Sequence, residues 1–551
     1  MKLKCRVIAA TAALTMLVTA FPTGVLASQP EMAVTETSEE TVGRCNPVLH
    51  VEDNGSQTAY MLTLEGCSQD VTAVRFTVSQ DQEELVGYYA KKDVSGNWVA
   101  IFDMNDVRRG GTFQIGASLG FLDGAGQDVW GTSIEVAGYT APEQSKTNKV
   151  SILGDSISTY NDGSGRAYYS YYSPEHMDRN RTWWMQYINA FGMQLGYNEA
   201  LGGSRVTSCA GDGMSPGSAM SCDERIRQLG SNGTPDEILF FGGINDIFQK
   251  GSVPAGQYSY QLTYGKVDDF VDAYYTTVMK LKFYYPNADI VCIIPYNTWA
   301  VDTSLVDSFA DGIINICKEF NLAYVDLRFA GVIGAHNMAA PDYLHPNENG
   351  MDKIATNVII SMFLNKIQRT SGYWKRDTGG VRHFCHADGS LMTNAYICDG
   401  VYKYYVREDG TPMRDVMTYD SDGTNLMYLD EWGHQLYNSF RYCDNVGYVC
   451  FFDENGHASF DRVVTYNGHS YYMDGTGRLK QNGWFWFDNG QDLGFANWDG
   501  TLVTDTFSYD LWGRVVYFQS DGKVAKGLIY VAPYYYYMDP TDGHCVGCFQ
   551  L

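Results

Sequence analysis

Three residues in this chain have the types and spacing to move an acyl group: Ser156, Asp342 and His345. Ser156 follows a short apolar run, Val150 to Leu153, broken by Gly154 and followed by Asp155. Such a run reads as a buried strand, which puts the serine hydroxyl on a turn at the strand's carboxyl end, where α/β sheets hold ligands. Much later, Asp342-Tyr-Leu-His345-Pro346 sets a carboxylate three residues before an imidazole. On a loop or a first helical turn, that carboxylate can hold the Nδ1 proton, fixing the tautomer and stabilising an imidazolium. A hydroxyl brought to the other ring nitrogen would complete a serine hydrolase. Taken singly, each group has a plainer reading: Ser156 caps a turn, and His345 is a surface residue of a loop.

Two further segments bear on that choice, Asn198 to Val206 (Asn-Glu-Ala-Leu-Gly-Gly-Ser-Arg-Val) and Phe241 to Ile247 (Phe-Gly-Gly-Ile-Asn-Asp-Ile). In chain order, GDS at 154–156, GGS at 202–204, GxND at 243–246 and DxxHP at 342–346 resemble the blocks of the SGNH (GDSL) hydrolase family, over residues 148–367. The resemblance implies Ser156 as nucleophile, His345 as base and Asp342 as the acid that orients it. It also implies an oxyanion hole made by the Ser156 N–H, the Gly203 N–H and the Asn245 side-chain amide. Glycine at 203, the residue before Ser204, lets the main chain come close to a developing charge. An amide at 245 offers an N–H where a carboxylate would repel. Asp155 and Asp246 read as structural acids that bond turn N–H groups. No metal or organic cofactor is implied.

The segment Tyr160 to Arg181 is an aromatic insert with Tyr168, Tyr169, Tyr171 and Tyr172, followed by Trp183-Trp184. Aromatics beside a nucleophile form a sugar-stacking wall or a lid, so Trp183 and Trp184 are possible substrate contacts. The competing reading is that they begin a core helix. Arg205 is a possible contact to a substrate oxygen, or else half of a salt bridge.

These groups must be positioned by an alternation of strands (150–153, 197–201, 237–241, 289–294, 322–326) and helices (182–194, 267–284, 304–320, 348–366). Five apolar strands with amphipathic helices between them predict a parallel sheet covered on both faces. The family resemblance implies the same flavodoxin-like sandwich. A polar linker, 140–149, precedes it. Residues 45–139 alternate apolar and polar positions between regular turns, which predicts a β-sandwich accessory domain. That segment resembles the GBS Bsp-like repeat domains of bacterial surface proteins.

From residue 371 to 551 an aromatic residue is followed a few positions later by glycine, at Gly389, Gly410, Gly433, Gly456, Gly477, Gly500, Gly522 and Gly543. A period near twenty that combines an aromatic strand with a glycine turn predicts a solenoid of β-hairpins. The repeats resemble the choline- and glucan-binding repeats of Gram-positive surface proteins. Their aromatic faces either hold a wall or glucan polymer, by cation–π contact if the ligand is choline, or stack to build the solenoid core. Acidic turns such as Asp453-Glu-Asn-Gly456 read as β-turn chemistry rather than calcium loops.

The amino end carries Lys2, Lys4 and Arg6, an apolar run to Val18, and Val25-Leu26-Ala27. This reads as a secretory signal peptide over 1–27, with a polar, disordered lead-in over 28–44. The net charge of −25 becomes −28 once the three leader cations are removed. So large an acidic excess argues against nucleic acid or an anionic membrane as partner. Export also permits local disulfides at Cys45/Cys67, Cys209/Cys222, Cys385/Cys398 and Cys443/Cys450, while Cys545 and Cys548 read as a disulfide or free thiols. The sequence thus predicts a multidomain exported esterase, extracellular or held non-covalently on the wall, that acts on an acylated polysaccharide. A long-chain lipase or thioesterase and an inert adhesin are the alternatives.

Overall fold

The computed structural model describes residues 45–142, 146–162, 170–208, 216–248, 253–259, 261–299, 301–339, 342 and 344–550. The expected leader and lead-in at 1–44, Cys209, Tyr168 and Tyr169 lie outside the described residues.

The amino-terminal region is two antiparallel sheets of four strands each. One orders Val48–Asp53, Ala59–Glu65, Trp98–Asp103 and Lys91–Lys92; the other orders Glu83–Tyr89, Val71–Gln80, Gly111–Phe121 and Gly126–Val136. Alternate residues face inward, so Leu62, Leu64, Val74, Phe76, Phe102, Phe113 and Leu119 are buried in one core between the sheets. This is the β-sandwich that the alternation predicts.

The central region is built on five parallel strands: β1 (Lys149–Gly154), β2 (Gln194–Ala200), β3 (Glu237–Phe241), β4 (Asp289–Ile294) and β5 (Ala323–Asp326). Their order in the sheet is β2-β1-β3-β4-β5. Helices α1 (Trp183–Ala190), α2 (Asp223–Gln228), α3 (Ile244–Phe248), α4 (Phe270–Tyr284), α5 (Thr303–Phe320) and α6 (Glu348–Ile367) accompany them. Each face of the sheet packs into its own apolar cluster. One holds Phe240, Cys292 and Ile294 with α4 and α5; the other holds Ile152, Leu239 and Ile293 with α1 and α6. With both faces covered, strands such as β3 (Glu-Ile-Leu-Phe-Phe) are buried at every position, which is why they read as continuous runs. Because the strand order turns at β1, loops leave β1 and β3 to opposite sides of a crevice at the carboxyl edge, where ligands of such sheets bind. The short helices α2 and α3 were not foreseen; at six and five residues they are too short to show a helical period.

From Tyr373 onward the chain forms seven two-stranded antiparallel hairpins and a final three-stranded sheet. All eight repeat glycines have positive φ, between 76° and 88°, so each marks the left-handed position of a turn. Asp453 shows the turn chemistry: its carboxylate accepts the Asn455 and His457 N–H groups. Of the aromatics preceding these glycines, Phe384, Tyr428, Phe452, Tyr472 and Phe518 are buried, so they build the solenoid core. The eleven described cysteines are all free thiols, and Cys443 Sγ donates to the Arg441 carbonyl at 3.5 Å. The disulfides foreseen at Cys45/Cys67, Cys385/Cys398 and Cys443/Cys450 are therefore not formed in this structure.

The three regions touch. Ala59, Met61 and Val99 of the sandwich pack on Phe283 of α4, and Lys91 pairs with Glu319 of α5. The first hairpins dock on the end of α5: Asp399 accepts from Asn321 Nδ2 at 2.7 Å, Trp374 Nε1 at 2.8 Å and the Tyr404 hydroxyl at 3.0 Å. Charge-assisted bonds of this kind contribute roughly 1.5–3 kcal/mol each. Asp399→Ala is therefore expected to loosen the junction and expose the chain near residues 368–372 to protease. Limited proteolysis read by peptide mapping checks this; an unchanged cleavage rate contradicts it.

Candidate active site

Ser156 begins a one-turn 3-10 helix, Ser156–Ser158, immediately after β1. Asp155 caps that turn by accepting the Ile157 N–H at 3.0 Å. The first N–H of a helical turn has no partner within it, so the Ser156 N–H is not consumed by the turn. The serine is 9% exposed.

His345 reaches it from the loop before α6. Its Nε2 lies 2.8 Å from Ser156 Oγ, and its Nδ1 lies 2.7 Å from Asp342 Oδ2. An ionised carboxylate can only accept, so Nδ1 carries the proton and Nε2 is left to accept from the serine hydroxyl. Asp342 is fixed in turn, its other oxygen accepting the Leu344 N–H at 2.9 Å and the His345 N–H at 3.2 Å. The loop that carries both groups is tied down by tyrosines: Tyr296 donates to the Leu344 carbonyl at 2.8 Å, and Tyr172 to the Pro346 carbonyl at 2.7 Å. Pro346 stands outside α6 rather than at its first position, because Asn347 is the cap, its side chain accepting the Asn349 and Gly350 N–H groups.

Across the crevice, Gly203 has φ +72°, and a Cβ added there would meet nothing within 4 Å, so this turn residue faces open space. The Asn245 amide donates to the Ser204 carbonyl at 2.8 Å. An amide has two N–H groups, and the second makes no hydrogen bond among the described residues. Asp246 organises the same loop, accepting the Val206 N–H at 2.9 Å, the Thr207 N–H at 3.0 Å and the Thr207 hydroxyl at 2.7 Å.

Arg225 of α2, wholly buried, ties these loops together. Its guanidinium donates to the Gly154 carbonyl at 3.1 Å and the Glu199 carbonyl at 2.6 Å. It also reaches the Ser204 hydroxyl at 2.9 Å, the Ser218 carbonyl at 2.6 Å and the Glu199 carboxylate at 3.2 Å. The ends of β1 and β2 and the glycine turn thus share one cation. Arg225 was not singled out from sequence, since nothing in a lone arginine on a short helix distinguishes it from a surface residue.

Electrostatics follow from burial. Burial holds the His345 imidazole below its ordinary value of 6.5, against the opposing bond and charge of Asp342. Burial raises Asp342, but bonds from the Leu344 N–H and from the His345 ring and N–H bring it below the usual carboxylate range. Asp155 is pushed up to about 7 by burial, with a further push from Asp246, while the Ile157 N–H and Arg225 work against the rise. Asp246 is pushed up to about 6 by burial, despite its donors.

Trp183 and Trp184 are 0% exposed and belong to the core on the α1 face, so neither can present a wall to substrate. The Trp183 indole donates instead to Ser158 Oγ at 3.2 Å. Arg205 is 1% exposed, with its charge beside Asp246, so it too is removed from substrate contact. The aromatic that does sit at the site is Tyr171, whose ring lies parallel to His345 with centroids 3.6 Å apart and planes 7° apart.

The family model of GDSL-like Lipase/Acylhydrolase matches residues 148–362 and so spans all five of these positions. A solved GDSL-like lipase from Bacteroides uniformis is 26% identical, with a TM-score of 0.31, over 41% of this chain and 100% of that one. Choline binding protein F from Streptococcus pneumoniae is 18% identical, with a TM-score of 0.25, over 32% of this chain and 66% of that one. Glucosyltransferase-S from Streptococcus mutans serotype c is 24% identical over 186 residues, 29% of this chain and 12% of the glucosyltransferase. The chain therefore spans about an eighth of that relative's length.

Two outcomes are expected from this geometry. Arg225→Met strands the Glu199 carboxylate, and removal of one partner of a buried pair costs about 3–5 kcal/mol; a urea midpoint equal to wild type would contradict this. Because His345 is held low, it is neutral and able to accept a proton below pH 6.5, so the plateau of kcat/KM for an activated ester should persist below pH 6.5. A limb centred above 6.5 would contradict it. Residues 148–362 form a GDSL-like lipase/acylhydrolase domain, with a β-sandwich before it and β-hairpins after it.

Proposed function

We propose that the protein is an exported serine esterase that removes small acyl groups, acetyl foremost, from a polysaccharide. The observation that carries this reading is the hydrogen-bonded run from Ser156 Oγ through His345 to Asp342, at 2.8 Å and 2.7 Å. His345 takes the serine proton as Oγ attacks the ester carbonyl, and the Asp342 carboxylate stabilises the imidazolium. The Ser156 N–H, the Gly203 N–H and the Asn245 amide receive the oxyanion. As the tetrahedral intermediate collapses, the imidazolium protonates the departing sugar oxygen to give the free hydroxyl, and water, activated by the same nitrogen, hydrolyses the acyl-enzyme.

The hairpins are proposed to hold a neutral wall or glucan polymer. Cations of the chain itself already cover several of their rings, Arg382 over Trp374 at 5.2 Å and Arg441 over Tyr428 at 5.4 Å, which disfavours a choline headgroup there. Trp486 and Trp498 remain exposed for stacking on sugars. No helix among the described residues is long and apolar enough to cross a membrane, and an extracellular or wall-bound location accords with the proposed substrate.

Ser156→Ala is expected to abolish acetate release from p-nitrophenyl acetate, by ~10³-fold or more, with the unfolding midpoint unchanged. Retained turnover would remove the nucleophile. Faster hydrolysis of the octanoate ester than of the acetate would favour the lipase reading instead. Acetate release across acetylated xylan, peptidoglycan and acetylated monosaccharides then identifies the carrier.

A further inference from the structure

We propose that Tyr171 is a positioning residue for the Ser156–His345–Asp342 relay, packing on the face of the imidazole. This rests on the serine-esterase reading. The contact is a face-to-face stack on His345, and the Tyr171 hydroxyl lies near enough to Asp342 for that carboxylate's charge, after burial, to raise the hydroxyl's pKa. The terminal torsion of a histidine is broad and two-fold, so the Asp342 bond alone leaves the ring free to rock about that contact. A ring at van der Waals distance over the whole imidazole face removes that freedom.

Tyr171 is in turn fixed to the nucleophile. Its N–H donates to Thr159 Oγ1 at 2.9 Å, and the Thr159 hydroxyl donates to the Ser156 carbonyl at 2.8 Å. The neighbouring Asn161 N–H donates to the Tyr172 carbonyl at 2.9 Å, and Tyr172 holds the loop beyond His345. The aromatic insert is thus bonded through Thr159 to the main chain at Ser156 on one side and stacks on His345 on the other. It couples the spacing of nucleophile and base across 189 residues of sequence. Behind Tyr171, His176 stacks on its far face at 5.9 Å and 25°, its Nδ1 2.8 Å from Ser173 Oγ.

Several groups bear on the charge of His345. Asp342 faces it from its own loop, Ser156 from the β1 turn, Tyr171 and Tyr172 from the insert, and Tyr296 from the loop after β4; His176 lies beyond Tyr171. Asp155 and Asp246, pushed up to about 7 and about 6 by burial, are common to variant and wild type, so the difference between the two profiles reports His345. Tyr171→Ala opens the imidazole face to water; because burial is the largest influence holding His345 down, its pKa rises and the acid limb moves to higher pH. Tyr171→Phe keeps the ring over the imidazole, so the limb stays near wild type.

The test is full pH profiles of kcat and KM for p-nitrophenyl acetate with wild type, Tyr171→Ala, Tyr171→Phe and Ser156→Ala. Tyr171→Ala should lower kcat by about tenfold or more with KM within about twofold, and shift the acid limb upward. Tyr171→Phe, which retains the ring, should keep kcat and the limb near wild type. A wild-type kcat and limb in Tyr171→Ala, or a loss confined to KM, overturns the proposal. Should Tyr171→Ala not fold, Tyr171→Leu, which covers less of the imidazole face, decides: lowered kcat with a raised limb supports, a wild-type profile overturns. Full activity in Ser156→Ala would instead remove the esterase reading, and with it the relay that Tyr171 is proposed to position.

Discussion

The buried guanidinium of Arg225 is the interaction on which the site depends. A parallel sheet ends in a row of carbonyls with no further strand residues to bond, and loops leaving such ends are free to diverge. Here one cation accepts that duty for two adjacent strands, bonding the last carbonyl of β1 and the Glu199 carbonyl of β2 together with the Ser204 hydroxyl. The carbonyl of Gly154 lies two residues before Ser156, and Ser204 lies one residue after Gly203. Fixing these two points fixes the distance between the Ser156 oxygen and the turn that faces it. The Glu199 carboxylate balances the charge in a setting where an unpaired cation would cost several kcal/mol.

Two further carboxylates, Asp155 and Asp246, lie just behind the crevice. Both shape loops, by capping the Ser156 turn and by collecting the Val206 and Thr207 donors. Both are also held above their ordinary values by burial. A carboxyl raised on folding binds its proton more tightly in the folded chain. It therefore adds stability below its unfolded value and loses that contribution as pH climbs through about 6 to 7. His345 and Asp342 run the other way, both pulled down, so the imidazole stays neutral and the acid beside it ionised at the pH where a base is needed. Burial raises Asp155 and Asp246 and lowers His345, while hydrogen bonds bring Asp342 down against burial.

Much of this was legible before any coordinates. Long apolar strands buried on both faces cannot be mistaken for loops, and a glycine every twenty-odd residues marks a turn because only glycine adopts that backbone freely. Ser156, Asp342 and His345 were legible because their neighbours are distinctive. The substrate contacts assigned to Trp183, Trp184 and Arg205 failed for a common reason. Their positions beside the site in sequence were taken for positions facing it in space, whereas α1 turns both indoles into the core and Arg205 into the protein beside Asp246. Tyr171 was visible only as one of several tyrosines, since its stack on His345 joins residues 174 positions apart. Arg225 carried no local signal at all.

Attack of the Ser156 oxygen on an acyl carbonyl is tested by covalent trapping. The intact protein is treated with diethyl p-nitrophenyl phosphate and mapped by peptide mass spectrometry. One phosphoryl adduct is expected, on the peptide containing Ser156, formed with loss of esterase activity and slowed as the pH falls through the titration of His345. An adduct on another residue, or complete inactivation with Ser156 unmodified, would contradict it.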